Sequence, residues 1–260
     1  MCAKIIDIKE ENIGKDGLFC KKSQKKQVGY QNKVKWIKER FKEGLKYKLL
    51  MITEKGKENS RGFIEYIPGE YNWRGIQADG WMVVHCLWVI GKHKNKGHGV
   101  ALLEEAIKDA KEQGMHGVVA MTSKKCSGLA NGTIFEKTGF IKVDEAEPFF
   151  NLHALPFSND FPLPKINPVI VENINTCGEG ITLIDGHQCP YVQTMIVPIK
   201  DFANKQEIPF QVKLIKDCKE AQQNGINPYG IYGIIYNQEV ISHCYPRRIQ
   251  EITDLIKKKL

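Results

Sequence analysis

WMVVHCLWVI (residues 81–90), GKHKNKGHG (91–99) and VALLEEAIKDAKEQG (100–114) form the stretch that decides the reading. Apart from His85, the first ten residues are an unbroken apolar run, which predicts a central strand buried on both faces. In 100–113, Ala101, Leu102, Ala106, Ile107 and Ala110 recur at helical spacing, and Gly114 supplies the stop. The loop between them therefore joins a buried strand to a helix N-terminus. The first turn of a helix has unpaired N–H groups and the positive end of the dipole. Glycines at 97 and 99 let such groups approach a pyrophosphate, and Lys92, Lys94 and Lys96 add positive charge. No Gly-Lys-Ser/Thr follows, so this is not a nucleotide P-loop. The dinucleotide fingerprint fails at its third glycine, where Leu102 stands. Taken alone, the loop is also consistent with a plain glycine turn.

Outward from this centre, 4–8 reads as a strand, and 31–44 as a helix with Val34, Ile37 and Phe41 inward and Gly44 as its stop. Residues 47–53 and 61–67 read as a hairpin. A strand at 117–122, a helix at 128–138 and strands at 140–143 and 149–154 follow. Pro156, Pro162, Pro164 and Pro168 mark a linker over 156–179, between domains at 1–155 and 180–260. The second segment reads strand 181–185, helix 190–204, strand 209–215, helix 217–223, strands 230–236 and 239–243, and helix 247–259. That βαβ–α–ββα order is that of a thioredoxin fold.

Composition sets the class. With 42% hydrophobic and 26% charged residues the chain is globular, and no apolar stretch is long enough to cross a bilayer. The N-terminus lacks the basic-then-apolar run of a signal peptide, so a cytoplasmic protein is expected. The eight cysteines form no CxxC pair, and free thiols in a reducing compartment are expected. The formal charge of +8 suits an anionic partner. Because the Lys and Arg residues are scattered, a phosphorylated cofactor is expected rather than nucleic acid or a membrane.

The loop Lys94-Asn95-Lys96-Gly97-His98-Gly99 resembles the Gln/Arg-x-x-Gly-x-Gly/Ala acetyl-CoA motif of the GNAT acetyltransferases, with Lys94 where Gln or Arg is usual. Asn131-Gly132-Thr133-Ile134-Phe135-Glu136-Lys137-Thr138-Gly139-Phe140 resembles that family's Asn-x-x-Ala/Ile-x-x-x-x-Gly-Phe segment. The resemblance covers about residues 1–155. It implies an α/β (α+β) fold with a mixed twisted sheet flanked by helices, and acetyl-CoA wedged between the fourth and fifth strands. It further implies that N–H groups of Lys94, Asn95, Lys96, Gly97, His98 and Gly99 hold the pyrophosphate. Main-chain groups of Trp88, Val89 and Ile90 would pair with the pantetheine arm, and Asn131 would bond near it. The amine of a small molecule or peptide would then attack the thioester directly, with an N–H near the end of the fourth strand polarising the carbonyl.

A base helps the amine attack. His85 is the first candidate, on the same strand face as Val89 and with an ordinary pKa near ~6.5; a satisfied core histidine is the other reading. Glu65 is the second candidate, against a solvated strand carboxylate. The family's usual acidic tyrosine is matched by Phe135, so the leaving thiolate would take its proton from water, Cys86, Cys126 or Ser127. Trp73, Arg74 and Trp81 could bind a planar or anionic substrate, or pack in the core.

In the second segment, His187-Gln188-Cys189-Pro190-Tyr191-Val192 resembles the Cys-Pro-Tyr-Cys of glutaredoxins, with Val192 replacing the second cysteine. Asn227-Pro228-Tyr229 stands where thioredoxin-like proteins place a cis-proline, so Pro228 would face Cys189. A helix N-terminus would lower the Cys189 pKa and make it a reactive monothiol; a degenerate domain used for interaction is the other reading. Cysteine and histidine spacings match no zinc motif, so no metal is expected. The pairing of domains resembles bacterial acetyltransferases with a YoaP-like tail. Acetyl transfer to a primary amine is the leading expectation, with acetyl-CoA as co-substrate. The alternative is a thiol-redox or thiol-binding protein using Cys189, whose first domain only binds CoA. The sequence leaves the acceptor and the oligomeric state open.

Overall fold

The computed structural model describes residues 2–223, 226–246 and 248–260. In chain order its strands are β1 (Cys2–Ile8), β2 (Lys46–Glu54), β3 (Lys57–Pro68), β4 (Ile76–Gln77), β5 (Trp81–Val89), β6 (Gly117–Thr122), β7 (Ile141–Ala146), β8 (Phe150–Pro156), β9 (Lys165–Ile166), β10 (Ile181–Asp185), β11 (Phe210–Leu214), β12 (Tyr232–Tyr236) and β13 (Glu239–Ser242). Its helices are α1 (Ile13–Asp16), α2 (Val28–Phe41), α3 (His98–Glu112), α4 (Gly132–Glu136), α5 (Val171–Asn175), α6 (Gln193–Lys205), α7 (Cys218–Gln223) and α8 (Ile249–Lys257).

Strand β5 is central, as its apolar run predicts. A seven-stranded mixed sheet runs β1-β2-β3-β5-β6-β8-β7, with β5 antiparallel to β3 and parallel to β6. The parallel step needs a crossover, and α3 supplies it. Leu102, Leu103 and Ala106 of α3, with Phe135 of α4, bury one face against Met82, Val84, Val118 and Ala120. The other face is covered by α2, through Trp36 and Ile37, and its core continues into a second sheet.

That second sheet runs β11-β10-β12-β13, with β10 parallel to β11 and antiparallel to β12. Its strands and helices follow the order expected from the sequence. Leu183, Ile184, Ile234 and Ile235 belong to the same buried cluster as Val83, Val119 and Leu152 of the first sheet. The two sheets thus share a continuous core.

Several boundaries differ from expectation. The helix expected at 128–138 shrinks to α4, because Ser123–Ala130 is a closed loop with the Ser123 N–H donating to the Ala130 carbonyl at 3.1 Å. The proline-rich stretch is not devoid of structure: β9 pairs with β4, and α5 follows. Proline denies only its own donor, which leaves Lys165 and Ile166 free to pair. The last helix starts at Ile249; Arg247, within the expected 247–259, lies outside the described residues. The expectation of free thiols fails at one pair, since Cys126 and Cys244 form a disulfide. No helix among the described residues is long and apolar enough to cross a membrane.

Candidate functional site

Pairing between β5 and β6 covers only Trp81–Val84 against Gly117–Ala120. Beyond that point β5 runs on to Val89 while β6 stays with β8, so the strands part into a wedge. A cleft of about 810 Å³ opens there, lined on one side by Leu87, Trp88, Val89 and the 93–100 segment. Ser123–Ser127, Leu129–Asn131 and the start of α4 form the opposite wall.

The edge of β5 exposed in the wedge follows from the ladder. The Ile90 N–H donates to the Arg61 carbonyl at 2.9 Å, so Ile90 faces β3. Bonded and outward pairs alternate in an antiparallel ladder, which turns Trp88 to β3 as well and aims the main-chain groups of Leu87 and Val89 into the wedge. The expectation that Trp88 and Ile90 offer main-chain groups there is corrected accordingly; Val89 keeps that role and Leu87 joins it. The Trp88 side chain stays exposed, with the Lys94 ammonium 5.8 Å from its ring centre.

At the mouth of the wedge, Lys94 N–H donates to the Gly91 carbonyl, and Ala101 N–H to that of Gly97. Between them, the N–H groups of Asn95, Lys96, Gly97, His98, Gly99 and Val100 have no acceptor among the described residues. Asn95 and Gly97 have positive φ, 58° and 81°, which turns the chain sharply through this stretch. A side chain at 97 would meet open space but would be strained by that φ. Gly99 serves packing instead: a Cβ there would lie 2.7 Å from Ile134 Cδ1. Six unpaired donors at a helix N-terminus form a cradle for an anion. Lys94, Lys124, Lys125 and Lys137 line the cleft, whereas Lys92 is held by Glu54 at 2.6 Å. A pyrophosphate-bearing coenzyme fits this donor set. Asn131 caps α4, accepting from Thr133 N–H at 3.1 Å, and lines the cleft.

The candidate acid–base residues lie elsewhere. His85, Glu65 and Cys86 are not among the cleft-lining residues. They sit on the side of the sheet that faces the second one, in a buried polar cluster. His85 Nε2 accepts the Trp73 N–H at 3.0 Å, and Nδ1 lies 3.3 Å from Glu65 Oε1, a contact rather than an aligned bond. Glu65 also pairs with the Lys33 ammonium, and Gln188 Nε2 donates to its Oε1 at 2.6 Å. Arg74 donates to the His85 carbonyl at 2.9 Å and to Gln188 Oε1 at 3.2 Å. Burial lowers the His85 pKa to about 4 despite the neighbouring carboxylate. Burial alone would raise Glu65, but Lys33 and His85 outweigh it and bring the carboxyl to about 2. Burial, reinforced by Glu65, pushes the Cys86 thiol up to about 12.

Trp73, Arg74 and Trp81 are all buried core residues, not a substrate platform. Phe135 is buried against Phe140, away from the cleft. Cys126 is tied in the disulfide and has no thiol proton to give, while Ser127 donates to the Tyr245 carbonyl at 2.5 Å. Cys189 is free and half-buried. Burial raises its pKa and outweighs the Tyr191 and Val192 N–H groups that point at it; α6 begins only at Gln193. The Asn227–Pro228 bond is trans, and the Pro228 carbonyl accepts from Gly75 N–H at 2.9 Å. No group of three or more metal-ligating side chains exists among the described residues. Sequence reasoning missed Lys124, Lys125 and Lys137 on the far wall, and Lys33 and Gln188 in the buried cluster. The Lys-Lys pair after the strand at 117–122 was the available signal; Lys33 and Gln188 had none.

The model of the acetyltransferase (GNAT) family matches residues 22–140. The uncharacterized N-acetyltransferase YoaP of Bacillus subtilis (strain 168) is 35% identical over 223 residues, 84% of this chain and 85% of that protein. Among solved structures, an acetyltransferase of the GNAT family from Staphylococcus aureus aligns at 18% identity and a TM-score of 0.40, covering 59% of this chain and 99% of that one. A GNAT family acetyltransferase from Brucella melitensis, in complex with acetyl-CoA, aligns at 16% identity and a TM-score of 0.39, covering 62% and 92%.

Proposed function

Because the chain belongs to the GNAT acetyltransferase family, as an acyl-CoA-dependent N-acetyltransferase, we propose that it works by holding the acetyl-CoA pyrophosphate on the main-chain N–H groups of residues 95–100. One observation carries this reading: those donors have no acceptor within the described protein and stand at the mouth of the β5–β6 wedge. Lys94, Lys124, Lys125 and Lys137 balance the coenzyme's phosphates. Leu87 and Val89 offer main-chain groups to the pantetheine arm, and one of their N–H groups polarises the thioester carbonyl. Asn131 closes the far wall. The acceptor, a small-molecule or peptide primary amine, attacks the carbonyl directly.

His85 and Glu65 enter this mechanism as positioning residues rather than as the base. A pKa about 4 and one about 2 are far from the working pH that suits a base. The register between β3 and β5 shifts between Glu65 and Tyr66, so β5 has one extra residue, His85, at that point. By holding that bulge, the cluster sets where β5 leaves β6. The amine then reacts from its neutral fraction, and the leaving thiolate is protonated by water in the open cleft.

The second sheet's order, with one parallel and two antiparallel pairs, supports a thioredoxin-like domain of the YoaP type. With Val192 in place of a second cysteine and a raised thiol pKa, Cys189 serves packing in this reading, not dithiol exchange. Five free thiols among the described residues support a cytoplasmic setting.

Titration calorimetry with acetyl-CoA, followed by thiol release against a panel of amines, tests the proposal. Micromolar binding and amine-dependent release of CoA are expected; no affinity for acetyl-CoA overturns it. His85→Gln should lower kcat/KM and leave the pH–rate profile unchanged, whereas loss of one limb of that profile would make His85 the base.

A further inference from the structure

Cys126 and Cys244 form the one disulfide among the described residues, spanning 118 positions. Its ends belong to different parts of the fold. Cys126 lies in the loop after β6 and lines the coenzyme cleft, while Cys244 follows β13 of the second sheet. Loop 123–130 is internally closed: Ser123 N–H donates to the Ala130 carbonyl, and Ser123 Oγ accepts from Lys125 and Cys126 N–H, both at 3.1 Å. Beyond the bridge, two non-covalent ties reach the second sheet's side. Ser127 Oγ donates to the Tyr245 carbonyl, and Gly128 sits so close to Tyr229 that a Cβ would lie 2.3 Å from its hydroxyl. The loop's exposed lysines, 124 and 125, are cleft-wall cations. One covalent bond thus anchors the loop that carries those charges to the second sheet.

Five other cysteines are free among the described residues. In a reducing compartment a lone bridge among free thiols is usually transient or redox-sensing. We propose that Cys126–Cys244 is a redox latch on the coenzyme cleft, closed when oxidised and released by a dithiol reductant. The reductant's thiolate attacks one bridge sulfur, and the bond between the two sulfurs breaks. After the second exchange, Cys126 and Cys244 have gained two electrons and two protons. The dithiol has lost the same and closed its own disulfide. Released, loop 123–130 keeps its internal bonds, the buried Leu129 and the Ser127 and Gly128 ties, but loses its covalent anchor to the second sheet. Lys124 and Lys125 are no longer held on the wall, and acetyl-CoA binding weakens. Linkage makes the effect reciprocal: bound acetyl-CoA protects the bridge by the same factor. The inference rests on the acetyl-CoA and cytoplasmic readings above.

The test uses the full chain, air-oxidised or reduced with dithiothreitol. Alkylation and intact mass should count two fewer free thiols in the oxidised form. Hydrogen exchange of amides 123–130 should quicken about tenfold on reduction. The Kd for acetyl-CoA should rise about tenfold, matched by a shift of about 30 mV in the bridge's midpoint when acetyl-CoA saturates the protein. Cys126→Ser/Cys244→Ser should give the reduced-form Kd with or without dithiothreitol; should it fail to fold, the two wild-type forms carry the comparison. Equal Kd and equal exchange in both forms overturn the latch, as does full alkylation before any reductant is added. If neither form binds acetyl-CoA, the coenzyme reading falls, and exchange of residues 123–130 alone decides the latch.

Discussion

The two sides of the β5 strand answer polar groups in opposite ways. On the cleft side, a row of main-chain donors at 95–100 and the edge of β5 stand without partners. On the other side, Glu65, Lys33, Arg74, His85 and Gln188 are buried and linked to one another. An open row of donors is affordable only where water or a ligand can reach it; a buried charge must be matched at once. In the proposed reading the contrast separates binding machinery from scaffold. Variants in the cluster should change stability, and variants in the cleft should change affinity.

The largest effect is expected at Glu65. Glu65→Gln leaves the Lys33 ammonium buried opposite a neutral amide, which costs about 3–5 kcal/mol. The urea midpoint reads this directly. Replacing both partners, Lys33→Met with Glu65→Leu, should recover most of the loss. A Glu65→Gln protein that unfolds at the wild-type midpoint would break the division between the two sides.

Acid should attack the same cluster. Glu65 has a folded pKa of about 2, below its usual range, so its stabilising share is present above that range and fades as pH falls toward 2. His85 has a folded pKa of about 4 against an ordinary 6.5. Between those values the unfolded chain holds the extra proton, so stability again falls with falling pH. Each proton taken up on unfolding gives a slope of about 1.4 kcal/mol per pH unit. Urea midpoints from pH 7 to pH 3 should therefore decline throughout, and His85→Gln should flatten the part between pH 6.5 and 4. An unchanged slope in that variant would show that His85 is not the group that takes up the proton.

Much of this was legible in the sequence, and most of the failures have a common cause. The apolar run 81–90, the Gly97 turn and the stripe of α3 report periods of the local chain, and the central strand, the sharp turn and the crossover helix followed from them. Glu65 and Arg74 looked like surface or substrate-facing residues because a local pattern cannot show what packs on them. Gln188 comes from a segment over a hundred residues away and completes their bonding. The Cys126–Cys244 bridge was hidden for the same reason. Cys189 misled differently: the helix-terminus rule was sound, but burial dominates once the second sheet closes on the first.

On the cleft side, Gly97→Val forces a β-branched residue to φ 81°. A strain of about 1–3 kcal/mol is expected, and relieving it would turn donors away from the cradle. Acetyl-CoA affinity should fall about tenfold or more, the ratio that 1.4 kcal/mol represents. The loop is exposed, so the urea midpoint should move far less than for Glu65→Gln. A large loss of stability with affinity intact would invert the comparison.

The smallest effect separates cradle from charge. Lys124→Gln with Lys125→Gln removes two cleft-wall cations and leaves the donors at 95–100 untouched. Exposed charges in water interact weakly, so a rise in Kd of about threefold to tenfold is expected at low salt. The screening length shortens to about 3 Å at 1 M salt, so the variant and the wild type should converge there. The main-chain cradle works at contact distance and should keep most of its share under the same conditions. If the difference persists undiminished at high salt, the lysines act through shape or direct bonding, and the cleft wall is as organised as the cradle facing it.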